Sequence, residues 1–170
     1  YFPDPDIAKL KISLIPEFSR EALKKDIPEL PSMRRERFTK DFSMTAKEAA
    51  VFVESASLSN YFESIIAPFK DDAKRVKLAT NYLLTDYLGL LKKEGADAGT
   101  ASDRIPAPAF AELVGMIAAG DLSSRGAKDL LVHMLADGSS KNGSSTRSLA
   151  EKHGLLQKSD ASDIAPAIDK

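Results

Sequence analysis

The 170-residue sequence predicts an all-α protein built from two small helical bundles in series. From Ser19 onward, apolar residues recur at the three- and four-residue spacing of helices that bury one face. Several predicted helices begin at Ser, Thr or Asp, and several end at Gly or Pro, which are the usual residues at helix boundaries. After Ser19 we find no run that would supply a partner strand for a sheet.

Residues 1–18 are predicted to be a short, extended, strand-like remnant of an upstream domain. Their prolines disfavour a helix, and apolar residues alternate with polar ones between residues 9 and 14. The chain begins with Tyr1 rather than Met, so we expect it to be a piece of a longer polypeptide.

Residues 19–100 are predicted to form the first bundle. A capping box at Thr45–Glu48 starts one of its helices, because the Thr hydroxyl and the Glu carboxylate can each accept a main-chain amide. The longest helix, residues 71–94, has an apolar stripe too wide for a solitary surface helix, so we expect it to be the spine of the bundle. That stripe consists of Val76, Ala79, Leu83, Tyr87 and Leu90, widened by Leu84, Leu88 and Leu91. The other predicted helices cover residues 19–25, 31–42 and 57–67.

Residues 101–170 are predicted to form a second, truncated helical unit. Small residues and prolines interrupt the helical pattern at residues 95–108, which we interpret as the domain boundary. One helix follows around Phe110, the next is capped by Ser123, and a short one covers residues 146–153. Residues 138–145 have the composition of a flexible link, and a last helical fragment begins near Ser159.

The composition narrows the possible classes of protein. The sequence has no cysteine, which excludes disulfides, thiolate catalysis and cysteine-based metal sites. No apolar run approaches the roughly 20 residues of a transmembrane helix, and no signal-peptide pattern is visible, so we expect a cytoplasmic protein with no membrane partner. The net charge of −1 argues against a broad nucleic-acid-binding surface but allows a local basic patch.

No catalytic or metal-binding residue is predicted in this chain. Asp4 and Asp6 lack the further ligands and the glycine turn of a calcium loop. His133 and His153 are two histidines where a zinc site needs three or four ligands, so we assign both a structural role. The sequence also lacks a nucleophile elbow, a P-loop and a dinucleotide-binding glycine motif.

Three basic groups could contact phosphate, although charged runs usually belong to solvated helix faces. The best placed lies at a helix N-terminus, whose free amides favour an anion. It consists of Ser123, Ser124, Arg125 and Lys128. Two secondary candidates are basic clusters on earlier helices. They are Arg34, Arg35 and Arg37 on one helix, and Lys70, Lys74 and Lys77 along one face of the spine.

Several stretches of the sequence, taken in order, match the motifs of one known family. An Ile-Pro-Glu-Leu-Pro segment followed by Arg-Arg-Glu-Arg-Phe is similar to that family's "LPELP…RRERF" stretch. Other matches occur near its "DYFE", "AANWLL…LLGLL", "G-x-I-S-x-x-x-A-K" and "GLKQISD" motifs. The corresponding residues here are 27–31, 34–38, 60–63, 79–91, 120–128 and 154–160. In this order they resemble the GatB subunit family of the glutamine-dependent aspartyl/glutamyl-tRNA amidotransferases.

The resemblance implies the helical domain of the GatB subunit followed by the start of its YqeY-like tail domain, both of which engage tRNA. The parent protein is then a carbon–nitrogen ligase of translation that takes its amide nitrogen from glutamine. It works with an amidase subunit and a small third subunit, and converts Glu-tRNA(Gln) or Asp-tRNA(Asn) to Gln-tRNA(Gln) or Asn-tRNA(Asn). The resemblance assigns ATP and Mg²⁺ to an upstream catalytic domain and implies no cofactor in this chain.

A second interpretation comes from a different functional class. The chain would be a helical protein–protein interaction module that does not bind RNA, and its basic clusters would be solvated helix faces. The two interpretations differ in whether tRNA binding depends on salt and on Arg125 and Lys128.

Overall fold

The computed structural model of the chain describes residues 11, 12, 15–137 and 145–157. Within these residues the protein is all-α, as predicted, and the only β-type pairing is an isolated antiparallel bridge between Leu122 and Leu156. The chain divides into two compact units, Tyr1–Arg34 and Arg35–Lys170. The division at residues 18 and 100 that the sequence predicts stays a prediction.

The first unit contains a short helix that begins where the sequence indicates. Helix α1 covers Arg20–Asp26, and the Ser19 hydroxyl accepts a hydrogen bond from the amide of Ala22 at 3.2 Å. Most of the predicted extended segment lies outside the described residues, as do Asp4 and Asp6, and its described end forms a 3₁₀ turn, Pro16–Phe18. Several large apolar side chains of this unit are exposed. They are Ile12, Phe18, Leu23, Ile27, Leu30 and Met33.

Helix α2, Pro31–Asp41, leads into the second unit, which holds the remaining helices. These are α3 (Ala46–Glu54), α4 (Ala56–Ile66), α5 (Ala73–Asn81), α6 (Leu88–Lys93), α7 (Ala101–Arg104), α8 (Ala107–Ala119), α9 (Ser124–Asp137) and α10 (Thr146–Lys152). The predicted capping box is confirmed at the start of α3. Thr45 accepts from the amide of Glu48 at 3.3 Å, and the Glu48 carboxylate accepts from the amide of Thr45 at 2.7 Å.

The predicted spine is present but contains a change of helix type. Helices α5 and α6 are joined by a π-helical segment, Tyr82–Tyr87. The aspartate that caps the spine is Asp72, which accepts from two amides of the first turn, and the spine ends before Gly95, where φ is +71°. Because a π segment has more residues per turn, it shifts the register of the residues after it. Leu91 is therefore fully buried, whereas Leu90 is only partly buried.

Aromatic side chains fill the core of the second unit. Phe38, Phe52 and Phe62 are completely buried, and the rings of Phe52 and Phe62 lie 4.6 Å apart. A second group joins α4, the π segment and α8, where Tyr61 and Tyr87 pack against Phe110. Replacing a buried Phe by Ala costs about 3–5 kcal/mol. This core is therefore the main source of stability for the unit.

The two buried tyrosines also hold residues 95–108, the segment that was predicted to be an irregular boundary, against the core. Tyr61 donates to the carbonyl of Ile105 at 2.7 Å, and Tyr87 donates to the carbonyl of Ala101 at 2.6 Å. Burial raises the pKa of both phenols, so both remain neutral donors. The segment includes a 3₁₀ turn and helix α7, which its small residues and prolines did not predict.

The last helices pack against α8. Helix α8 ends at Gly120, where φ is +82°, and α10 contacts both α8 and α9. The carboxylate of Glu112 on α8 accepts hydrogen bonds from the Ser145 hydroxyl at 2.6 Å and from the Thr146 amide at 2.8 Å. The Ser145 hydroxyl caps α10 by accepting from the Arg147 amide at 3.2 Å, and Glu112 reinforces this cap from a different helix. None of the described helices has the length and apolar character needed to cross a membrane.

Candidate nucleic-acid interface

The N-terminus of α9 is built by Ser123, as predicted. Its hydroxyl accepts from the amide of Gly126 at 3.0 Å, and its carbonyl accepts from the amide of Ala127 at 2.9 Å. Ser123 is half-buried and its hydroxyl is engaged in this cap, whereas Ser124 and Arg125 are exposed. The exposed side of the first turn is therefore the part that an external anion can approach.

Gly126 allows a second stretch of chain to pass beside this turn. A Cβ atom at Gly126 would lie 3.2 Å from the carbonyl oxygen of Leu155. That stretch is held by the bridge between Leu122 and Leu156 and by a hydrogen bond from the amide of Gln157 to the carbonyl of Asp121 at 2.8 Å. The close approach fixes the geometry around the start of α9.

Arg125 and Lys128 lie one turn apart on α9, so their side chains share a face. Arg125 is exposed and has no ion-pair partner among the described residues. Lys128 Nζ lies 3.0 Å from Oδ1 of Asp86 in the π segment, with side-chain exposures of 59% and 20% respectively. The hydrogen bond to Asp86 and its negative charge raise the pKa of Lys128. Of the two predicted cations, Lys128 is thus paired with a carboxylate and Arg125 is not.

Asp86 was not among the predicted site residues. Its contact with Lys128 depends on how α9 packs against the π segment, and no sequence motif records that packing. Residues of the π segment, α6 and α9 line an open cleft of about 280 Å³. Its charged lining residues are Asp86, Lys93, Lys128 and Asp129.

The arginines of α2 are placed differently from one another. In the first unit, Arg34 Nε pairs with Glu29 Oε2 at 3.1 Å. In the second unit, Arg37 pairs with Glu63 at 2.7 Å, and its guanidinium lies 5.0 Å from the centre of the Phe38 ring. These contacts give Arg34 and Arg37 structural partners, whereas Arg35 is exposed.

The lysines near the start of the spine remain available to a ligand. Lys70, Lys74 and Lys77 are exposed and form no ion pair with another described residue. Lys70 and Lys77 line a cleft of about 350 Å³ that also includes Asp41 and Asp71. Because the carboxylates offset much of the lysine charge, this cleft is a weaker anion site than its lysine count indicates.

The two histidines lie together. The rings of His133 on α9 and His153 after α10 are stacked with centroids 3.7 Å apart and an interplanar angle of 13°. Lone pairs of nearly parallel rings point in parallel directions and do not converge on one ion. Across the described ranges, no group of three or more His, Cys, Asp or Glu side chains could hold a metal. The described residues therefore present no cluster of ligands for a divalent metal ion.

Comparison with known proteins identifies related chains. A family model described as the GatB domain matches residues 60–170. The aspartyl/glutamyl-tRNA(Asn/Gln) amidotransferase B subunit of Nitrobacter hamburgensis is 35% identical over 172 residues, which cover 99% of this chain and 32% of that protein. The protein of the same name from Bordetella petrii is 35% identical over 170 residues, covering 100% of this chain and 33% of that protein.

A relative with lower sequence identity matches over the same length. The protein of the same name from Prochlorococcus marinus is 31% identical over 170 residues, which cover all of this chain and 32% of that protein. The chain thus spans about a third of the length of the curated relatives that it matches. Since the family model covers more than half of the sequence, the chain belongs to the GatB domain family.

Proposed function

We propose that this chain is the tRNA-engaging part of the GatB subunit of a glutamine-dependent amidotransferase in the cytoplasm. The whole enzyme would use ATP and Mg²⁺ to convert Glu-tRNA(Gln) or Asp-tRNA(Asn) to Gln-tRNA(Gln) or Asn-tRNA(Asn). Its amidase subunit and small third subunit would be the protein partners. The names of the relatives, which are B subunits of aspartyl/glutamyl-tRNA(Asn/Gln) amidotransferases, support this assignment.

The observation that favours tRNA contact is that the positive charge of Arg125 is exposed and not paired with a described carboxylate. Arg125 lies in the first turn of a helix of 14 residues. Main-chain amides at a helix N-terminus attract anions, and arginine can bind a phosphate through two parallel hydrogen bonds. Contacts of this kind position an RNA backbone without reading its sequence.

Lys128, one turn later, would add a second phosphate contact, and the hydroxyl of exposed Ser124 a third. Lys70, Lys74 and Lys77, together with Arg35, would act as secondary electrostatic contacts. Arg34 and Arg37 are less suited to this role, because carboxylates already bind their guanidinium groups. Charge-based contacts of this type make affinity fall steeply as salt rises.

The test is the affinity of the intact protein for tRNA at several salt concentrations. Each phosphate contact contributes about 0.7–0.9 to the slope of log affinity against log salt. Reversing both charges, with Arg125→Glu and Lys128→Glu, should weaken binding and flatten the slope by at least about 0.7, the contribution of one phosphate contact. The matched control reverses two exposed lysines elsewhere, with Lys47→Glu and Lys92→Glu, and should change the slope much less.

An unchanged affinity and salt slope in the Arg125 and Lys128 variant would refute the assignment of the contact to α9. If the wild-type protein shows no salt-dependent affinity for tRNA, the tRNA-engaging role itself fails. The alternative of a helical protein–protein interaction module would then be favoured.

A further inference from the structure

One of the two cations at the proposed phosphate site, Lys128, already forms an ion pair with Asp86. The carboxylate comes from the π segment of the spine, and the ammonium comes from α9. Asp86 is much less exposed than Lys128, at 20% against 59%, so solvent screens its charge less than that of a freely exposed carboxylate. The Thr85 hydroxyl lies 3.1 Å from the Asp86 carboxylate, but its shorter hydrogen bond, at 2.6 Å, is to the carbonyl of Asn81.

A phosphate that binds Lys128 must approach the ammonium from another side. Lysine is a point-like cation with three donors, so binding a second anion does not require the first to leave. The Asp86 carboxylate and the phosphate nevertheless repel each other, because both lie close to the same ammonium group. The carboxylate also already neutralises the positive charge of that ammonium. Arg125 has no such partner among the described residues.

We propose that Asp86 competes with RNA phosphate for Lys128 and thereby weakens the α9 site. This inference rests on the proposed function, because it concerns the regulation of the same site. Arg125 then supplies the main contact in the free protein, and Lys128 contributes fully only when its pair with Asp86 is loosened. Asp86 therefore lowers the affinity of the α9 site for phosphate groups that do not bind both Arg125 and Lys128.

A different role for Asp86 would have the opposite sign. If the carboxylate held Lys128 in a productive orientation, its removal would weaken RNA binding. The direction of the change in affinity therefore separates competition from positioning.

The first experiment measures tRNA affinity of the intact protein carrying Asp86→Asn. Removing the carboxylate charge while keeping the side-chain volume should raise affinity by about two- to fivefold at low salt, the range expected for an exposed ion pair. Asp129→Asn is the matched control. Asp129 lines the same cleft and loses the same charge, but it does not pair with Lys128 in the structure. Its effect on affinity should be clearly smaller.

The second experiment places Asp86→Asn in a protein that also carries Lys128→Gln. Competition for Lys128 predicts that the gain in affinity disappears in this background. General removal of negative charge predicts that the gain remains, and that result would overturn the proposal. A decrease in affinity for Asp86→Asn alone would also overturn it.

The double charge reversal at Arg125 and Lys128 separates the two levels of failure. If that reversal weakens binding but Asp86→Asn has no larger effect than Asp129→Asn, the proposed function stands and the role of Asp86 is wrong.

Discussion

Replacing Glu112 by alanine should loosen α10 from the rest of the second unit. The Glu112 carboxylate accepts from the Ser145 hydroxyl at 2.6 Å, from the Thr146 amide at 2.8 Å and from the Arg147 amide at 3.4 Å. A second tie, from the Thr146 hydroxyl to the carbonyl of Ala109 at 3.1 Å, would remain. Glu112→Ala therefore removes the carboxylate that binds the start of α10, while the Ser145 hydroxyl still caps the helix by accepting from the Arg147 amide at 3.2 Å.

The expected loss follows from the kind of hydrogen bond. A hydrogen bond to a charged group contributes about 1.5–3 kcal/mol, and a carboxylate at a helix N-terminus adds about 0.3–1 kcal/mol. Partial exposure of Glu112 to solvent reduces these figures. We expect Glu112→Ala to lower the free energy of unfolding by about 1–2 kcal/mol, and Glu112→Gln by about half as much.

Urea unfolding gives the free energy, and amide hydrogen exchange shows where stability is lost. Exchange should accelerate most in the amides of α10, residues 146–152. Glu36→Ala is the control, because Glu36 is exposed and has no hydrogen bond or ion pair with another described residue. A change in unfolding free energy for Glu112→Ala no larger than the control, with unchanged exchange in α10, would refute the assignment of this cap.

The same contact predicts a pH dependence. Burial alone would raise the pKa of Glu112, but the hydrogen bonds from Ser145, Thr146 and Arg147 outweigh it, so the pKa lies below its ordinary value of 4.5. A carboxylate with a lowered folded-state pKa stabilises the protein fully above the unfolded-state value, and this contribution is lost as the pH falls through the folded-state pKa. The difference in stability between the wild type and Glu112→Gln should therefore shrink as the pH falls below 4.5.

Alanine substitutions at Gly115, inside α8, and at Gly120, at its C-terminal end, should change stability in opposite directions. Gly115 lies inside the helix with open space where a Cβ would be. Gly115→Ala should therefore raise the free energy of unfolding by about 0.5–1 kcal/mol, and the melting temperature with it. Gly120 ends the helix with φ of +82°, a conformation that L-residues disfavour, so Gly120→Ala should lower stability by about 1–2 kcal/mol. Thermal unfolding of both variants checks the pair, and the same sign for both would contradict the described backbone.

Local signals explain why the helix starts were predictable. The cap at Ser19 and the capping box at Thr45–Glu48 each involve residues three apart, so the sequence contains both partners side by side. The end of the spine at Gly95 is likewise local, because a positive φ is a property of one residue. At these three boundaries the physical cause lies within one turn, and the sequence prediction and the structure agree.

Contacts between distant residues explain what was not predicted. The cap of α10 joins Glu112 to an amide 34 residues later, and the Lys128–Asp86 pair and the histidine stack also join separate helices. None of these pairs has a spacing that marks it in the sequence. The π segment was missed because its apolar residues still fit an ordinary helical stripe. Sequence alone therefore indicated the location of the candidate site but not the carboxylate that adjoins it.

Hydrogen exchange of the intact protein with and without tRNA tests the central claim most directly. If Arg125 and the first turn of α9 contact RNA phosphates, tRNA should slow exchange in peptides that cover residues 121–131. Peptides from α3, Ala46–Glu54, should change little. Saturating tRNA that leaves the start of α9 unprotected, while protecting other helices, would contradict the assignment.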